Sequence, residues 1–185
     1  MEVLRKSIQE KCYLVEFKHI FGCLIDDTHQ TVELSEEVKI FEDCLKAIRE
    51  EEPAFQFKLV VCGLKILGDE HVISELKACV KALKDTSIIS GYDLVNEEDT
   101  TPAIKTFRKI IKNAQLENPG LEIFLHAGES ASRKNDNLYD AYLMNTKRIG
   151  HGFEIIDHPY LIEKVKEKGI CVEVCPVSNL ILGYC

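Results

Sequence analysis

The chain has 185 residues, of which 45% are hydrophobic and 29% are charged, and its formal net charge is −8. This length and composition suit a globular domain with a real core. The acidic balance argues against a protein that neutralises nucleic-acid phosphates with lysine and arginine. No apolar run approaches the roughly 20 residues of a membrane span. We therefore expect neither a nucleic-acid partner nor a membrane partner.

The eight cysteines contain no Cys-x-x-Cys pair, which argues against a zinc ribbon. Cys62, Cys171 and Cys175 lie inside apolar, strand-like runs. This setting predicts free, buried thiols in a reducing compartment. The N-terminus lacks the apolar stretch of a signal peptide. Together these features predict a cytoplasmic protein, and the alternative is an extracellular protein whose true N-terminus precedes Met1.

Short β-branched and apolar runs alternate along the chain with segments of helical periodicity. The most regular helical pattern covers residues 72–83, and Thr101-Pro102 predicts the start of a further helix that ends before Asn118-Pro119-Gly120. This alternation predicts βαβ units and a parallel sheet in one domain over residues 1–185. It does not distinguish a barrel from an open doubly wound sheet. The strand-like runs are 13–17, 57–67, 87–95, 121–125, 148–149 and 170–174.

Two histidines stand where predicted strands end. Residues 121–125 run directly into His126-Ala127-Gly128-Glu129, and 148–149 run into Gly150-His151-Gly152. In parallel α/β folds the carboxyl ends of the strands form the active-site face. A neutral imidazole can bind a metal, a carboxyl can transfer a proton, and glycines let a ligand approach the backbone closely. One such histidine alone is more often satisfied by a backbone carbonyl, but two on successive strands favour a shared site.

These motifs resemble a known family. His-Ala-Gly-Glu at 126–129, Arg-Ile-Gly-His-Gly-Phe at 148–153 and Glu-Val-Cys-Pro-Val-Ser-Asn at 173–179 are similar to adenosine deaminases. Gly-Tyr-Asp-Leu at 91–94 and Leu-Met-Asn-Thr at 143–146 also match the growth-factor-type, adenosine deaminase 2-like branch. The resemblance implies a (β/α)8 barrel of the metal-dependent hydrolase type. It also implies zinc-dependent hydrolysis of a purine nucleoside, adenosine, to inosine and ammonia.

The resemblance assigns roles to particular residues. His126 would be a zinc ligand, Glu129 the general acid that protonates the purine ring nitrogen N1, and His151 the group that orients the hydroxide nucleophile. Zinc suits this chemistry because it lowers the pKa of bound water from 15.7 to about 7.

Three further residues belong to the predicted site. Asp93 would lie close by, as a partner of the site or a substrate contact, and Gly128 would line the substrate position. Asn96 takes the place of a glycine whose backbone N–H meets the purine in the family. Asparagine tolerates unusual φ angles better than most residues, but its side chain could crowd the base.

The match is incomplete. The family's first strand supplies a His-x-His pair and its last strand a pair of aspartates, whereas this chain has no His-x-His and its only Asp-Asp pair, Asp26-Asp27, lies far too early. A complete barrel takes about 250 residues. We therefore predict a partial barrel that lacks the first and last strands and holds one zinc ligand. Its open edges would expose unpaired backbone groups, so missing segments or another chain should cover them.

Three functions remain open on the sequence. The first is an adenosine deaminase whose remaining strands lie outside this sequence. The second is a non-catalytic descendant that keeps the fold and acts as a structural or interaction protein in an assembly. The third is a related hydrolase such as an AMP deaminase, which would need a cluster of basic residues for the phosphate near the active-site face. The sequence offers no such cluster beyond Arg133-Lys134, a pair that is more typical of a solvated loop.

Overall fold

The computed structural model describes residues 1–130 and 136–184, and within them strands and helices alternate. The strands are Leu14–His19 (β1), Gln56–Leu64 (β2), Ile89–Val95 (β3), Ile123–Ala127 (β4), Arg148–His151 (β5) and Cys171–Glu173 (β6). The α-helices are Glu2–Gln9 (α1), Leu34–Glu51 (α2), Gly68–Asp85 (α3), Arg108–Glu117 (α4), Asn137–Leu143 (α5), Pro159–Lys168 (α6) and Pro176–Leu182 (α7). Short 3₁₀ helices occupy Lys65–Leu67, Ile104–Phe107 and Phe153–Asp157.

The strands form one parallel sheet in which spatial order follows chain order, from β1 to β6. A doubly wound sheet would reverse its strand order at a switch point, and this sheet does not. Consecutive parallel strands with helical crossovers are the arrangement of a (β/α)8 barrel. The predicted barrel architecture is confirmed, and the sheet represents a curled arc of it.

Ion pairs across the concave side demonstrate the curvature. Lys18 on β1 lies 2.9 Å from Glu173 on β6, and Arg148 on β5 forms an ion pair with Glu16 on β1. Five steps of about 4.8 Å would separate the outer strands by roughly 24 Å in a flat sheet. Side chains of the two outer strands meet only because the sheet bends round to bring them face to face.

The convex side of the sheet carries the apolar core. Helix α3 packs on β2 and β3, and α5 packs on β4. Strand β4 shows the alternation clearly, because Ile123, Leu125 and Ala127 are fully buried in this core while Phe124 and His126 point to the concave side. Burial of this layer stabilises the arc, at about 1.5 to 3 kcal/mol for each large aliphatic side chain.

Most predicted elements are confirmed, including the helix over 72–83 and the helix end before Asn118. The helix start at Thr101-Pro102 is wrong. Glu97 accepts a hydrogen bond from the Thr100 backbone N–H at 2.8 Å, and the Thr101 hydroxyl donates to the Glu97 carbonyl. These local bonds hold residues 97–101 in a turn, and helical structure begins only at Ile104.

Two helices were not predicted because neither buries an apolar stripe. Leu4 is the buried residue of α1, and Asn179 is that of α7, where Ile181 is 78% exposed. Helical periodicity is recognised from a buried apolar face, which these segments lack within the described residues.

The seven cysteines in the described part of the chain are free thiols. Cys62 is buried, as predicted, whereas Cys171 is exposed because it lies on the outer strand β6. No helix among residues 1–130 and 136–184 combines the length and the apolar composition needed to cross a membrane.

Candidate active site

Three predicted site residues converge at the carboxyl edge of the sheet. His126 lies in β4, His151 is the last residue of β5, and Glu129 follows β4 by two residues. The two imidazole rings are edge to face with centroids 5.1 Å apart. Nε2 of His151 lies 3.2 Å from Oε1 of Glu129. The structure therefore brings two imidazoles and a carboxyl, groups whose chemistry suits metal binding and proton transfer, into one small volume.

A buried carboxylate orients the His126 ring. Nδ1 of His126 lies 3.1 Å from Oδ1 and 3.0 Å from Oδ2 of Asp93, a fully buried residue of β3. The Lys18 ammonium lies 2.7 Å from Oδ2 of the same carboxylate. Burial alone would raise the pKa of Asp93, but the facing His126 and Lys18 outweigh it and hold that pKa below its ordinary value. With Nδ1 donating to Asp93, the lone pair of His126 is on Nε2.

Gly150 on β5 makes room for the His126 ring. A Cβ atom at this position would lie 2.9 Å from Nδ1 and 3.0 Å from Cε1 of His126. Real side chains do not pack so closely against a ring without displacing it. The glycine before His151 is therefore explained by the neighbouring strand, because it lets the imidazole lie directly against the β5 backbone.

Asn179 ties His151 to the Glu129 loop. Its Oδ1 lies 2.7 Å from Nδ1 of His151, and its Nδ2 donates to the Glu129 carbonyl at 2.7 Å. Because the amide nitrogen is used on a carbonyl, the amide oxygen must face His151, and Nδ1 of that ring is the donor. His151 also adopts a left-handed backbone conformation with φ of 69°, uncommon for a side chain of this size.

Gly128 and Glu129 form a turn that a neighbouring loop holds. Gly128 has φ of +68°, and a Cβ there would lie 2.8 Å from the Leu138 side chain. Its backbone N–H donates to Oε1 of Glu98 at 3.0 Å. Glu129 is 5% exposed, and its Oε2 accepts a hydrogen bond from the Glu98 backbone N–H at 3.1 Å. The general acid of the prediction is thus buried and fixed by backbone contacts.

Asn96, just beyond β3, adopts an unusual backbone angle of the kind that asparagine tolerates. Its φ is 112°, and asparagine is enriched among the few non-glycine residues with positive φ. Oδ1 of Asn96 accepts a hydrogen bond from the Ile66 backbone N–H at 3.3 Å. The side chain is therefore engaged by the loop that follows β2.

Sequence reasoning missed two residues that shape this site, Asn179 and Glu98. Asn179 stands at the end of the 173–179 motif, so the motif contained a signal for it. Glu98 follows a strand directly in an acidic run, which is more often a solvated surface. Only the structure separates buried Glu98 from its solvent-facing neighbours.

The described residues fit part of a zinc site. A histidine whose Nδ1 is bound by a carboxylate is a common arrangement for a metal ligand, with Nε2 free to coordinate. Yet no group of three or more potential ligands occurs within 1–130 and 136–184, and a catalytic zinc needs about three protein ligands. His126 can supply one. The Arg133-Lys134 pair considered for phosphate binding lies outside the described residues.

Comparisons with known proteins agree with this geometry. The chain is 32% identical to an adenosine deaminase of Lutzomyia longipalpis over 98% of its length, and it spans 36% of that protein. It is also 32% identical to adenosine deaminase 2 of Dictyostelium discoideum, again over 98% of this chain and 35% of the relative. The chain thus spans about a third of the length of these relatives.

A crystal structure of an amidohydrolase from Burkholderia ambifaria with bound Zn superposes with a TM-score of 0.74 at 19% identity, covering 96% of this chain and 47% of that one. This likeness supports the barrel fold. The family model for adenosine deaminase matches residues 2–185. The motifs, the consecutive parallel strands and this match together show that the chain belongs to the adenosine deaminase family.

Proposed function

We propose that the full-length protein is a zinc-dependent deaminase that hydrolyses adenosine to inosine and ammonia, and that this chain supplies its proton-transfer groups. One observation carries the proposal. Glu129 and His151 approach within 3.2 Å, beside His126, at the carboxyl edge of a barrel sheet. Proton-transfer groups must lie within hydrogen-bond reach of each other or of the reacting atoms, and these do.

Glu129 is proposed as the proton donor to the purine ring. Its burial excludes bulk water, and the Glu98 backbone N–H fixes one oxygen so that the other faces His151. A carboxyl held in this way has few alternative orientations, and orientation alone contributes several kcal/mol to catalysis. Gly128 adds a stretch of backbone without a side chain, and Asn96 is proposed to offer its backbone N–H to the base.

His151 is proposed to orient the attacking water and to accept its proton. Asn179 fixes Nδ1 as the donor nitrogen, so Nε2 of the neutral ring can accept a proton. The same nitrogen lies next to Glu129, so that a proton can pass between the two groups without leaving the site.

Zinc, when bound, would supply a hydroxide nucleophile at neutral pH. His126 would hold it through Nε2, with Asp93 fixing the ring, and the other ligands would come from parts of the protein beyond this segment. Those parts would also cover the outer edges of β1 and β6.

A non-catalytic role is the second candidate, and one observation favours it. The described residues contain no group of three or more side chains that could hold a metal ion. A descendant that kept the fold for an interaction would show the same deficiency.

The test uses the full-length protein, loaded with zinc and analysed for metal content. Wild type is expected to release ammonia from adenosine, and Glu129→Gln to lower kcat by about 10² to 10⁴, the usual contribution of a general acid. Glu163→Gln, on the exposed face of α6, is the matched control and should retain activity.

Zinc analysis separates the two candidates. His126→Ala should reduce the bound zinc, whereas Glu129→Gln should leave it unchanged. A full-length protein that is folded, holds no zinc and releases no ammonia would overturn the deaminase proposal in favour of the non-catalytic one.

A further inference from the structure

The Glu98 carboxylate organises the turn that presents Glu129. Its Oε1 accepts a hydrogen bond from the Gly128 backbone N–H at 3.0 Å. Its Oε2 accepts bonds from the N–H groups of Glu129 at 2.8 Å and of Ser130 at 3.0 Å. Three successive backbone donors thus converge on one side chain, an arrangement that binds anions strongly.

A fourth bond connects this carboxylate to the next helix. Nδ2 of Asn137, the first residue of α5, donates to Oε1 of Glu98 at 2.8 Å, while Oδ1 of Asn137 accepts from the Ile104 backbone N–H at 3.1 Å. Glu98 is 4% exposed and Asn137 is fully buried. A buried polar network therefore joins the loops after β3 and β4.

We propose that Glu98 is a positioning residue of the active site, which fixes the Gly128–Ser130 turn. This inference rests on the proposed function for its kinetic consequences. Glu98 touches neither His126 nor His151 in the contacts above. It acts through the backbone of Glu129, so that the carboxyl of Glu129 meets His151 in one orientation.

The geometry makes Glu98→Gln a sharp probe. Glutamine keeps one accepting oxygen and places an NH₂ group at the other position, where it would face N–H donors. Two of the four bonds are lost, and the turn should shift while the side-chain volume stays the same. A misplacement of about 1 Å can lower a rate on the order of 10²-fold.

The experiment compares Glu98→Gln with wild type and with the exposed control Glu163→Gln, all in the full-length protein. In Glu98→Gln, kcat for adenosine should fall on the order of 10²-fold, with KM within about threefold.

Hydrogen–deuterium exchange supplies a readout that needs no turnover. Peptides covering residues 121–130 should exchange faster in Glu98→Gln, and peptides from β1 and β2 should not change. If wild type releases no ammonia but this local exchange pattern appears, the deaminase proposal fails and the positioning role stands. If Glu98→Gln matches Glu163→Gln in exchange and kinetics, the inference is overturned.

Discussion

The two faces of the sheet are built from different chemistry. On the convex face, apolar side chains pack against helices, and Leu125 is fully buried there. On the concave face, charged side chains meet across the interior, as Lys18 does with Asp93 and Glu173. Successive residues of a strand alternate between these faces. Neighbours in the sequence such as Leu125 and His126 therefore serve stability and chemistry separately.

The charged face leads up to the candidate site. Arg148 pairs with Glu173 at 2.9 Å and lies 3.6 Å above the Phe124 ring. Lys18 connects this network to Asp93, and Asp93 orients His126. A substitution on the concave face should therefore alter the site before it unfolds the protein, whereas one on the convex face should do the reverse.

The largest expected effect on stability comes from the convex face. Leu125→Ala removes a fully buried side chain and should lower the free energy of unfolding by about 2 to 5 kcal/mol. Leu116, which is 69% exposed, provides the control, and Leu116→Ala should change stability little. Denaturant titration of the full-length protein measures both. Equal effects of the two substitutions would contradict the assignment of the faces.

The next effect is expected on the concave face, at Gly150. Gly150→Ala would place a methyl group 2.9 Å from the His126 ring, so the ring must turn away from Asp93. Activity should fall by about 10- to 100-fold, with reduced zinc affinity and a melting temperature near that of wild type. Gly120→Ala is the matched control because a Cβ there meets nothing within 4 Å. If the kinetics and zinc content of Gly150→Ala match those of Gly120→Ala, the His126 ring does not need the space that Gly150 leaves, and this explanation of the glycine is wrong.

A smaller effect is expected from the interior ion pairs. Lys18→Met leaves the buried Asp93 carboxylate with His126 alone and should cost about 1 to 2 kcal/mol, moderated because the lysine itself is partly exposed. Lys39 forms a pair with Asp43 that is exposed on both sides. Lys39→Met should therefore leave stability essentially unchanged. Chemical denaturation of both variants measures the two changes in the free energy of unfolding. Equal changes would show that ion pairs on the concave face stabilise the protein no more than exposed surface pairs do.

An effect that appears only as the pH rises is expected from the convex side. Burial raises the pKa of Glu75 from its ordinary value of 4.5 to about 7, with the nearby Glu37 adding to the shift and a bond from the Phe21 backbone opposing it. The folded protein thus favours the protonated form, and this group lowers stability as pH rises from about 4.5 to 7. His19, hydrogen-bonded to Glu37, faces the same region from β1, and Tyr92 faces it from β3.

Glu75→Gln should remove this part of the pH dependence. Its melting temperature should equal that of wild type near pH 4.5. Above pH 7 it should exceed that of wild type, by ~2–4 °C for each kcal/mol by which the ionised Glu75 carboxylate destabilises the wild-type protein. Thermal scans of the full-length protein at both pH values test this. A constant offset between the two proteins at all pH values would refute it.

The sequence predicted the site better than it predicted the surroundings of the site. His126, Glu129 and His151 were located because short motifs mark the ends of their strands. Asn179 ends a motif that marks the site, but no role was assigned to it because its contact with Glu129 joins positions 50 residues apart. Helix positions were predicted where an apolar stripe is buried.

The sequence did not indicate that Glu16 and Lys18 face the interior of the arc, and the reason is physical. In β1, Glu16 and Lys18 alternate with apolar residues, a pattern typical of a strand with one face in water. The curvature of the sheet turns that face inward, so both side chains find partners on β5 and β6. Strand patterning reports which residues share a face, but it does not report which way the sheet bends.

The pairing of Glu16 with Arg148 also bears on how the chain folds during synthesis. The two residues are 132 positions apart, and at about 5 to 20 residues per second a ribosome needs roughly 7 to 26 s to make the intervening stretch. During that interval the first strands can pack against their helices, but Glu16 cannot form its ion pair because Arg148 has not yet been synthesised. Closure of the arc is therefore a late event, and the emerging half-built sheet is the form most in need of chaperone protection.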